Sequence, residues 1–251
     1  MIKPLLNHID NWRAMRVCHM SRYWQATADI PASLYPYWQY TAQFEFKGIP
    51  RDAFFFARAT EGLLTFFDCV RTSGKPCALP SAAADSVWHA WTRLAPATLD
   101  AFCTRHFGKT IPHVEAGAMA GPMEDALVSC LVAARRLERR DPVKPGVPRL
   151  FALDRDLRMS DGFGYQLEQG ELACRRLGQQ GRPEGAIFYP AGLIAAQYLE
   201  GGIPQPCFER PAGRSRDDGG GCGSGGAGSG GCDGGGGGCG SGCGGGGCGG
   251  G

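Results

Sequence analysis

Apolar residues recur every three or four positions through much of the chain up to residue 140, a spacing that places them on one face of an α-helix. The pattern is clearest between Pro50 and Gly74. Gly74 followed by Pro76 ends it, as glycine and proline often do beyond a helix C-terminus. The residues that carry the pattern are Phe56, Ala59, Leu63, Phe66, Phe67 and Val70.

Three further helices are predicted from residues typical of helix ends and from the spacing of apolar residues. Ser81 is a good N-cap for a helix that reaches about Leu94, and Pro96 suits the first turn of the next helix, which ends at Phe107. A fourth apolar stripe predicts a helix over 123–140. The very short connection near Pro96 predicts that its two neighbours pack as an antiparallel helix hairpin at the centre of the domain.

The pattern is weaker elsewhere. Residues 3–20 predict a helix with an imperfect apolar face, and residues 29–50, rich in proline and aromatic residues, predict an irregular segment with a short strand at 40–46. Three later segments are PRLFALD at 148–154, a short strand or a helical turn, and two helical candidates, YQLEQGELACRRLG at 165–178 and PAGLIAAQYLEGG at 190–202.

The composition changes sharply at the end of the chain. Residues 219–251 contain 23 Gly, 5 Cys, 3 Ser, 1 Ala and 1 Asp. Burial of apolar surface cannot offset the entropy of ordering so many glycines. We therefore expect a disordered Gly/Cys-rich tail over 219–251 and a linker over 206–218. The preceding residues, 1–205, are expected to form a mainly α-helical single domain with minor irregular or β segments.

The charge balance narrows the functional class. The net charge is +2, and Asp233 is the only charged residue of the tail, so the rest of the chain carries +3. This near-neutral value argues against nucleic-acid binding, and the basic run 135–140 suits the C-terminal end of a helix. No stretch approaches the ~20 apolar residues of a membrane span, and no secretory signal is present, so we expect a cytoplasmic protein.

Side chains that can bind a metal ion or take part in catalysis are concentrated in the segment 79–115. Asp85 and His89 are one turn apart on one predicted helix, and Cys103 and His106 are neighbours on the next. The two pairs lie at similar depths from the turn, so they meet if their faces point inward, and His113 can fold back over them. These residue types bind zinc-like divalent metals, so we predict either a metal site or a hydrogen-bonded polar cluster.

Other residues of the same segment have simpler explanations. Trp88, Phe102 and Phe107 are expected to form the structural core of the hairpin, which needs no metal. A nucleophilic pair of Cys103 and His106 is disfavoured because no third group is available to orient it. The sequence FGKT lacks the earlier glycine of a phosphate-binding loop.

This segment resembles the glycine-rich-domain-containing protein family, known from plants and bacteria, over about residues 50–115. That family often has a second histidine where this chain has Trp91, which removes one candidate ligand. The resemblance implies no enzymatic activity. It rests on Asp85, Trp88, His89, Cys103, Gly108 and His113, on the preceding segment FFFARATEGLLTFFDCVRTSGKPCALPS, and on the glycine-rich end of the chain.

The thiols of the tail allow three interpretations. Every tail cysteine and serine follows a glycine, which is the context used by enzymes that close rings on antibacterial peptides. Several of the thiols are close enough in sequence to bind one soft metal ion. The simplest interpretation is a flexible tether whose thiols are open to oxidation. The tail cysteines are Cys222, Cys232, Cys239, Cys243 and Cys248.

The sequence as a whole favours a non-catalytic binding protein. It would use the region from Asp85 to His113 to bind a metal or a protein partner, with the aromatic residues of 34–46 as a candidate patch for that partner. One alternative is a ribosomal peptide precursor, or a substrate, whose tail is enzymatically modified. Another is a metal-dependent enzyme of unknown reaction, which requires a concave pocket around His89.

Overall fold

The fold is mainly α-helical, as predicted. The computed structural model describes residues 2–114, 122–140, 144 and 146–196, with side chains from residue 8 onward. These residues form the helices α1 (Ile2–Met20), α2 (Trp24–Thr27), α3 (Leu34–Glu45), α4 (Ala53–Ser73), α5 (Ala82–Leu94), α6 (Pro96–Phe107), α7 (Met123–Leu137), α8 (Arg149–Asp156) and α9 (Ala191–Ala196), and the strands β1 (Phe163–Glu168), β2 (Glu171–Leu177) and β3 (Pro183–Phe188).

All the described residues belong to one compact unit, which runs from Met1 to Pro204. The predicted linker over 206–218, the predicted disordered tail over 219–251 and the tail cysteines lie outside the described residues.

Helix α4 is the axis of this unit, because it contacts α1, α5, α6, α7 and α8. It begins and ends close to the predicted limits. The Asp52 side chain accepts a hydrogen bond from the Phe55 N–H at 2.8 Å, and Gly74 ends the helix with a left-handed φ of 66°. Leu63 and Phe67 are fully buried. The predicted period of three and four therefore marks the central helix of the core.

Gly62 allows α8 to pack closely on α4. A Cβ atom placed on Gly62 would lie only 2.3 Å from Cδ2 of Leu153. Leu153 is itself buried, so it has little room to move aside. The distance between these two helices therefore depends on the absence of a side chain at Gly62.

Helices α5 and α6 follow the predicted boundaries. The Ser81 hydroxyl accepts a hydrogen bond from the Ala84 N–H at 3.2 Å and caps α5. Only Ala95 separates α5 from α6, and Pro96 occupies the first position of α6. Gly108 then ends α6 with a left-handed φ of 77°, a conformation that glycine adopts without steric cost.

The start of α5 is fixed by the buried carboxylate of Asp154, which lies on α8. Its Oδ1 accepts hydrogen bonds from the Ser81 hydroxyl at 2.6 Å and the Ala83 N–H at 2.9 Å. Its Oδ2 accepts from the N–H groups of Ala82 and Phe163, both at 2.9 Å. Burial raises the pKa of Asp154, and these hydrogen bonds oppose that rise. One side chain thus connects α5, α8 and β1.

The strand predicted at 40–46 is wrong, and the irregular segment predicted around it is largely α3. Leu34, Trp38 and Ala42 are spaced by four residues and are all buried. Pro36 lies in the first turn, where a helix does not need its N–H. The helical period therefore determines the structure, and the aromatic residues that suggested a strand occupy several faces of one helix.

The helix predicted for 165–178 is also wrong, because these residues form most of an antiparallel hairpin of β1 and β2. Glu168 pairs with Glu171 at its closed end. Gln169 and Gly170 connect the strands with left-handed φ values of 53° and 87°, as in a type I′ turn. Strand β3 pairs antiparallel with β2 and completes a sheet of order β1-β2-β3.

The sequence patterns also located α1, α7, α8 and α9, whereas α2 was not predicted. PRLFALD lies in α8, the helical candidate at 190–202 contains α9, and the predicted helix over 123–140 ends at Leu137. The predicted helix over 3–20 is α1, but its expected apolar face is largely exposed. Trp12 and Met15 keep 51% and 55% of their surface accessible.

Candidate metal centre

Three of the five predicted site residues come together beside α5. Asp85 and His89 lie one turn apart on α5, and His113 lies beyond the end of α6. Nε2 of His113 is 3.1 Å from Oδ1 of Asp85, and Nε2 of His89 is 3.5 Å from Oδ2 of Asp85. One ligand atom from each residue lies within 4.8 Å of the other two. We call these three residues the Asp–His cluster.

The packing of α5 places the Asp–His cluster at the edge of the core. Trp88, between Asp85 and His89 on the same helix, is buried, while the three cluster side chains are only partly exposed. The His113 ring meets the Trp88 ring edge-on with centroids 4.5 Å apart, and it meets the His89 ring in the same way at 4.6 Å. These contacts hold the two imidazoles against each other.

The path of the chain after α6 brings His113 to the cluster. The left-handed turn at Gly108 directs the chain out of α6, and Ile111 is buried. Burial raises the pKa of Cys103 to about 12, and the nearby backbone of Ile111 opposes that rise. This side chain therefore remains a thiol. Cys103 packs beside the segment that carries His113, and its sulfur is not among the ligand atoms that converge.

His106 binds a different part of the molecule. Its Nε2 lies 2.8 Å from Oδ2 of Asp29, in the connection between α2 and α3. Phe102 packs against the His106 ring, and both Phe102 and Phe107 are buried. The equal depth of His106 and Asp85 on the two helices did not bring them together, because depth leaves the direction of each side chain around its helix undetermined.

Glu45, the last residue of α3, completes the site and was not predicted. Its Oε2 is 2.9 Å from Nδ1 of His89, and its other oxygen pairs with Arg93. Phe46 places its ring edge-on to His89 with centroids 5.8 Å apart. Nothing local in the sequence links Glu45 to His89, which lies 44 residues later, because the packing of α3 on α5 makes the contact.

The contact with Glu45 determines which nitrogen of His89 faces Asp85. A carboxylate can only accept a hydrogen bond, so Nδ1 of His89 carries a hydrogen. When Nε2 of His89 carries no hydrogen, its lone pair faces an oxygen of Asp85 at 3.5 Å, so two acceptors face each other. A metal ion between them would be bound by both groups. A carboxylate behind a metal-binding imidazole is a common arrangement in metal sites.

The ligand atoms approach the spacing found around a small tetrahedral ion. An ion ~2.0–2.1 Å from each ligand separates the ligand atoms by about 3.3 Å. Asp85 lies 3.1 Å from His113 through Oδ1 and 3.5 Å from His89 through Oδ2, and one ligand atom of each residue lies within 4.8 Å of the other two. Two imidazoles and one carboxylate are ligands that zinc and neighbouring divalent metals accept.

One family model matches the chain, under the description UCP032817-like, over residues 55–185. This span covers more than half of the 251 residues and includes the whole Asp–His cluster. The chain belongs to the UCP032817-like family. That family is uncharacterised. No curated protein and no solved structure is detectably similar to the chain.

The UCP032817-like match corrects the resemblance to the glycine-rich-domain-containing protein family, which is wrong. That resemblance depended on a few spaced residues between Asp85 and His113 and on the glycine-rich end of the chain. The family match instead continues through α7, α8 and the β-sheet to residue 185, and it does not include the glycine-rich residues. The spaced residues reflect how this fold builds one site, and they do not identify a glycine-rich family.

Two cavities of this UCP032817-like protein are lined by other residues. One of about 420 Å³ lies among residues of α4, α7 and α8, with Tyr23 and Gly62 in its lining. The other, of about 800 Å³, lies between α1 and α3 and includes Tyr35. Neither is lined by Asp85, His89 or His113.

A helix that crosses a lipid bilayer needs about 20 mostly apolar residues. Among the described residues, none of the helices combines the length and the apolar composition that crossing a membrane requires.

Proposed function

We propose that this UCP032817-like protein binds one divalent transition-metal ion of the zinc class through Asp85, His89 and His113. The observation that carries the proposal is the contact of Glu45 with Nδ1 of His89. It directs the free nitrogen of His89 towards Asp85, where a second histidine also converges. Glu45 would act as a positioning residue for the ligand His89.

The proposed role is binding, with one coordination position left for another molecule. Three protein ligands leave the fourth position of a tetrahedral ion open. The side chains of the Asp–His cluster are partly exposed at the edge of the core. A ligand from a protein partner can reach such a position.

The surface next to Glu45 supports a protein partner. Tyr40 and Phe44 lie on α3, keep 68% and 70% of their surface exposed, and contact each other edge-on with ring centroids 5.6 Å apart. Exposed aromatic pairs of this kind are enriched in protein interfaces. We propose that the partner contacts this pair and also supplies the ligand to the metal ion.

Titration of metal-stripped full-length protein with Co²⁺ tests the metal site. Cobalt reports its ligands in the visible and near-ultraviolet spectrum, and thiolate ligands give charge-transfer bands that imidazole and carboxylate ligands do not. We expect one cobalt ion per chain without thiolate bands. His89→Ala and His113→Ala should each weaken binding by at least about tenfold, because each removes one of three ligands.

The matched control is His106→Ala, which removes a histidine of the same hairpin that contacts Asp29 instead. It should bind cobalt like the wild type. Equal binding by the wild type and His89→Ala, or spectra dominated by thiolate bands, would show that the Asp–His cluster is only a network of hydrogen bonds and that any metal binds elsewhere.

A further inference from the structure

Three cysteines from different parts of the chain meet next to the C-terminal end of α4. Cys69 lies on α4, Cys77 follows its end, and Cys130 lies on α7. Burial and then the neighbouring thiols of Cys69 and Cys77 raise the pKa of Cys130. Cys69 and Cys130 are fully buried, while Cys77 is only half-buried. Cys77 is therefore the member of this thiol cluster that solvent reaches first.

A backbone hydrogen bond holds the segments that carry Cys77 and Cys130 side by side. The N–H of Ala78 donates a hydrogen bond to the carbonyl oxygen of Ala126 at 3.1 Å. Cys77 is next to Ala78, and Cys130 is one helical turn beyond Ala126 on α7. This attachment brings the two segments side by side near these cysteines, as a disulfide between them requires.

The surroundings distinguish the two thiols chemically. The neighbouring Cys130 thiol lowers the pKa of Cys77; burial opposes this, while the Ser73 hydroxyl and the Lys109 ammonium lower the pKa further. Lys109 is held in place by a hydrogen bond from Nζ to the Val70 carbonyl oxygen at 3.0 Å. Burial raises the pKa of Cys130 well above that of an ordinary thiol. One sulfur is thus favoured as a thiolate and its neighbour as a thiol that can donate a proton.

We propose that Cys77 and Cys130 are a peroxide-sensitive dithiol, in which Cys77 is oxidised first and Cys130 then closes a disulfide. The Cys77 thiolate attacks one oxygen of a hydroperoxide, the O–O bond breaks, and the leaving alkoxide or hydroxide takes up a proton. The Cys77 sulfenic acid then reacts with the Cys130 thiol, which forms the S–S bond and releases water. The peroxide is reduced by two electrons and the thiol pair is oxidised by two.

This site is independent of the proposed metal centre, because it shares no residue with the Asp–His cluster. The disulfide would join the chain just after α4 to α7. A dithiol reductant would restore the two thiols by exchange. The proposed role is that of a reversible redox site.

Peptide mapping of the full-length protein after limited hydrogen peroxide treatment tests the proposal. Trypsin should release Cys77 in residues 72–93 and Cys130 in residues 110–135, each as the single cysteine of its peptide, whereas all five tail cysteines fall in residues 217–251. We expect the first cross-linked product to join 72–93 to 110–135. A cross-link from 72–93 to 217–251, or sulfinic acid at Cys77 without a cross-link, would overturn the proposal.

Alkylation before oxidation provides a second readout. Cys77 should react with iodoacetamide at neutral pH faster than Cys18, because a lower pKa gives a larger fraction of the reactive thiolate. Cys18 is a matched comparison, being also partly exposed but with a pKa raised by burial. Equal rates for the two thiols would remove the chemical basis of the proposal.

Substitutions test whether the cross-link requires this pair of cysteines or arises from general oxidation of thiols. Cys77→Ser, at the half-buried position, should abolish the cross-link and leave Cys130 in its reduced form, whereas Cys18→Ser should leave the cross-link unchanged. If Cys130 is oxidised equally in Cys77→Ser, the proposed order of events is wrong. The wild-type peptide map remains decisive even if a substitution at Cys130 prevents folding.

Discussion

At the scale of single residues, Glu45 determines how the Asp–His cluster can bind an ion. It accepts the Nδ1 hydrogen of His89 and leaves Nε2 to face Asp85. Without this carboxylate, the His89 ring can present either nitrogen. Glu45 is held in turn by Arg93, so an ion pair lies behind the proposed ligand.

Glu45→Ala should therefore weaken cobalt binding by about 10–100-fold, the usual effect of removing a group that orients a metal ligand. The measurement is a competition titration against a chelating dye. Arg93→Ala is the control, since it removes the outer partner of Glu45 but leaves the contact with His89 in place. It should weaken binding less than Glu45→Ala does. Wild-type affinity in Glu45→Ala would mean that Glu45 has no part in metal binding.

Part of this site could be predicted from residue types and their spacing in the sequence. Asp85 and His89 can be chosen because they have ligand side chains one turn apart, and His113 because it lies just beyond the same hairpin. The same reasoning also selects Cys103 and His106. Only the packing shows that Cys103 is buried beside the chain at Ile111 and that His106 binds another segment.

At the scale of secondary-structure elements, the buried Asp154 joins three of them. Four donors meet its two oxygens, three of them backbone N–H groups. Two of those N–H groups, from Ala82 and Ala83, belong to the first turn of α5, where a helix has no internal acceptors for them. The position of α5, and hence of Asp85 and His89, depends on this carboxylate.

Asp154→Ala should lower the free energy of unfolding by at least about 3 kcal/mol, because each buried donor left unpaired costs about 1–3 kcal/mol. Urea-induced unfolding followed by circular dichroism measures this change. Asp156→Ala is the matched control on the same helix, where the carboxylate forms only a surface ion pair with Arg155. That control should change stability by less than about 0.5 kcal/mol. Equal midpoints for the two variants would contradict the role given to Asp154.

Helix boundaries could be predicted where a side chain or a glycine marks them. Ser81, Pro96, Gly74 and Gly108 all lie at the ends that their chemistry predicts. The β1–β2 hairpin could not be predicted in the same way. Its residues include good helix formers, and its turn carries a glutamine in the left-handed position, where asparagine or aspartate is the usual signal. The β1–β2 hairpin forms because its two strands pair with each other.

At the scale of the whole molecule, the described unit contains a core that does not need the glycine-rich residues. The buried apolar side chains lie between Tyr23 and Ala196. Residues 219–251 contain no large apolar side chain that could add to that core. The stability of the described unit, and the proposed metal site, should therefore depend on the residues before 219.

A chain that ends at Asp218 should unfold within about 2 °C of the full-length protein, because residues outside a core usually contribute less than about 0.5 kcal/mol. Calorimetry of both proteins measures this, and cobalt titration should give the same histidine-dependent site in both. A fall of more than about 4 °C would correspond to roughly 1 kcal/mol or more and would show that the final residues pack on the body.

The close packing of α8 against Gly62 also constrains how this family can vary. A side chain at position 62 requires the end of the leucine at position 153 to move aside. A smaller residue at 153 removes that conflict, so an alanine at 62 is accommodated most easily together with such a residue. In an alignment of UCP032817-like sequences, these two positions should therefore covary, although 91 residues separate them along the chain.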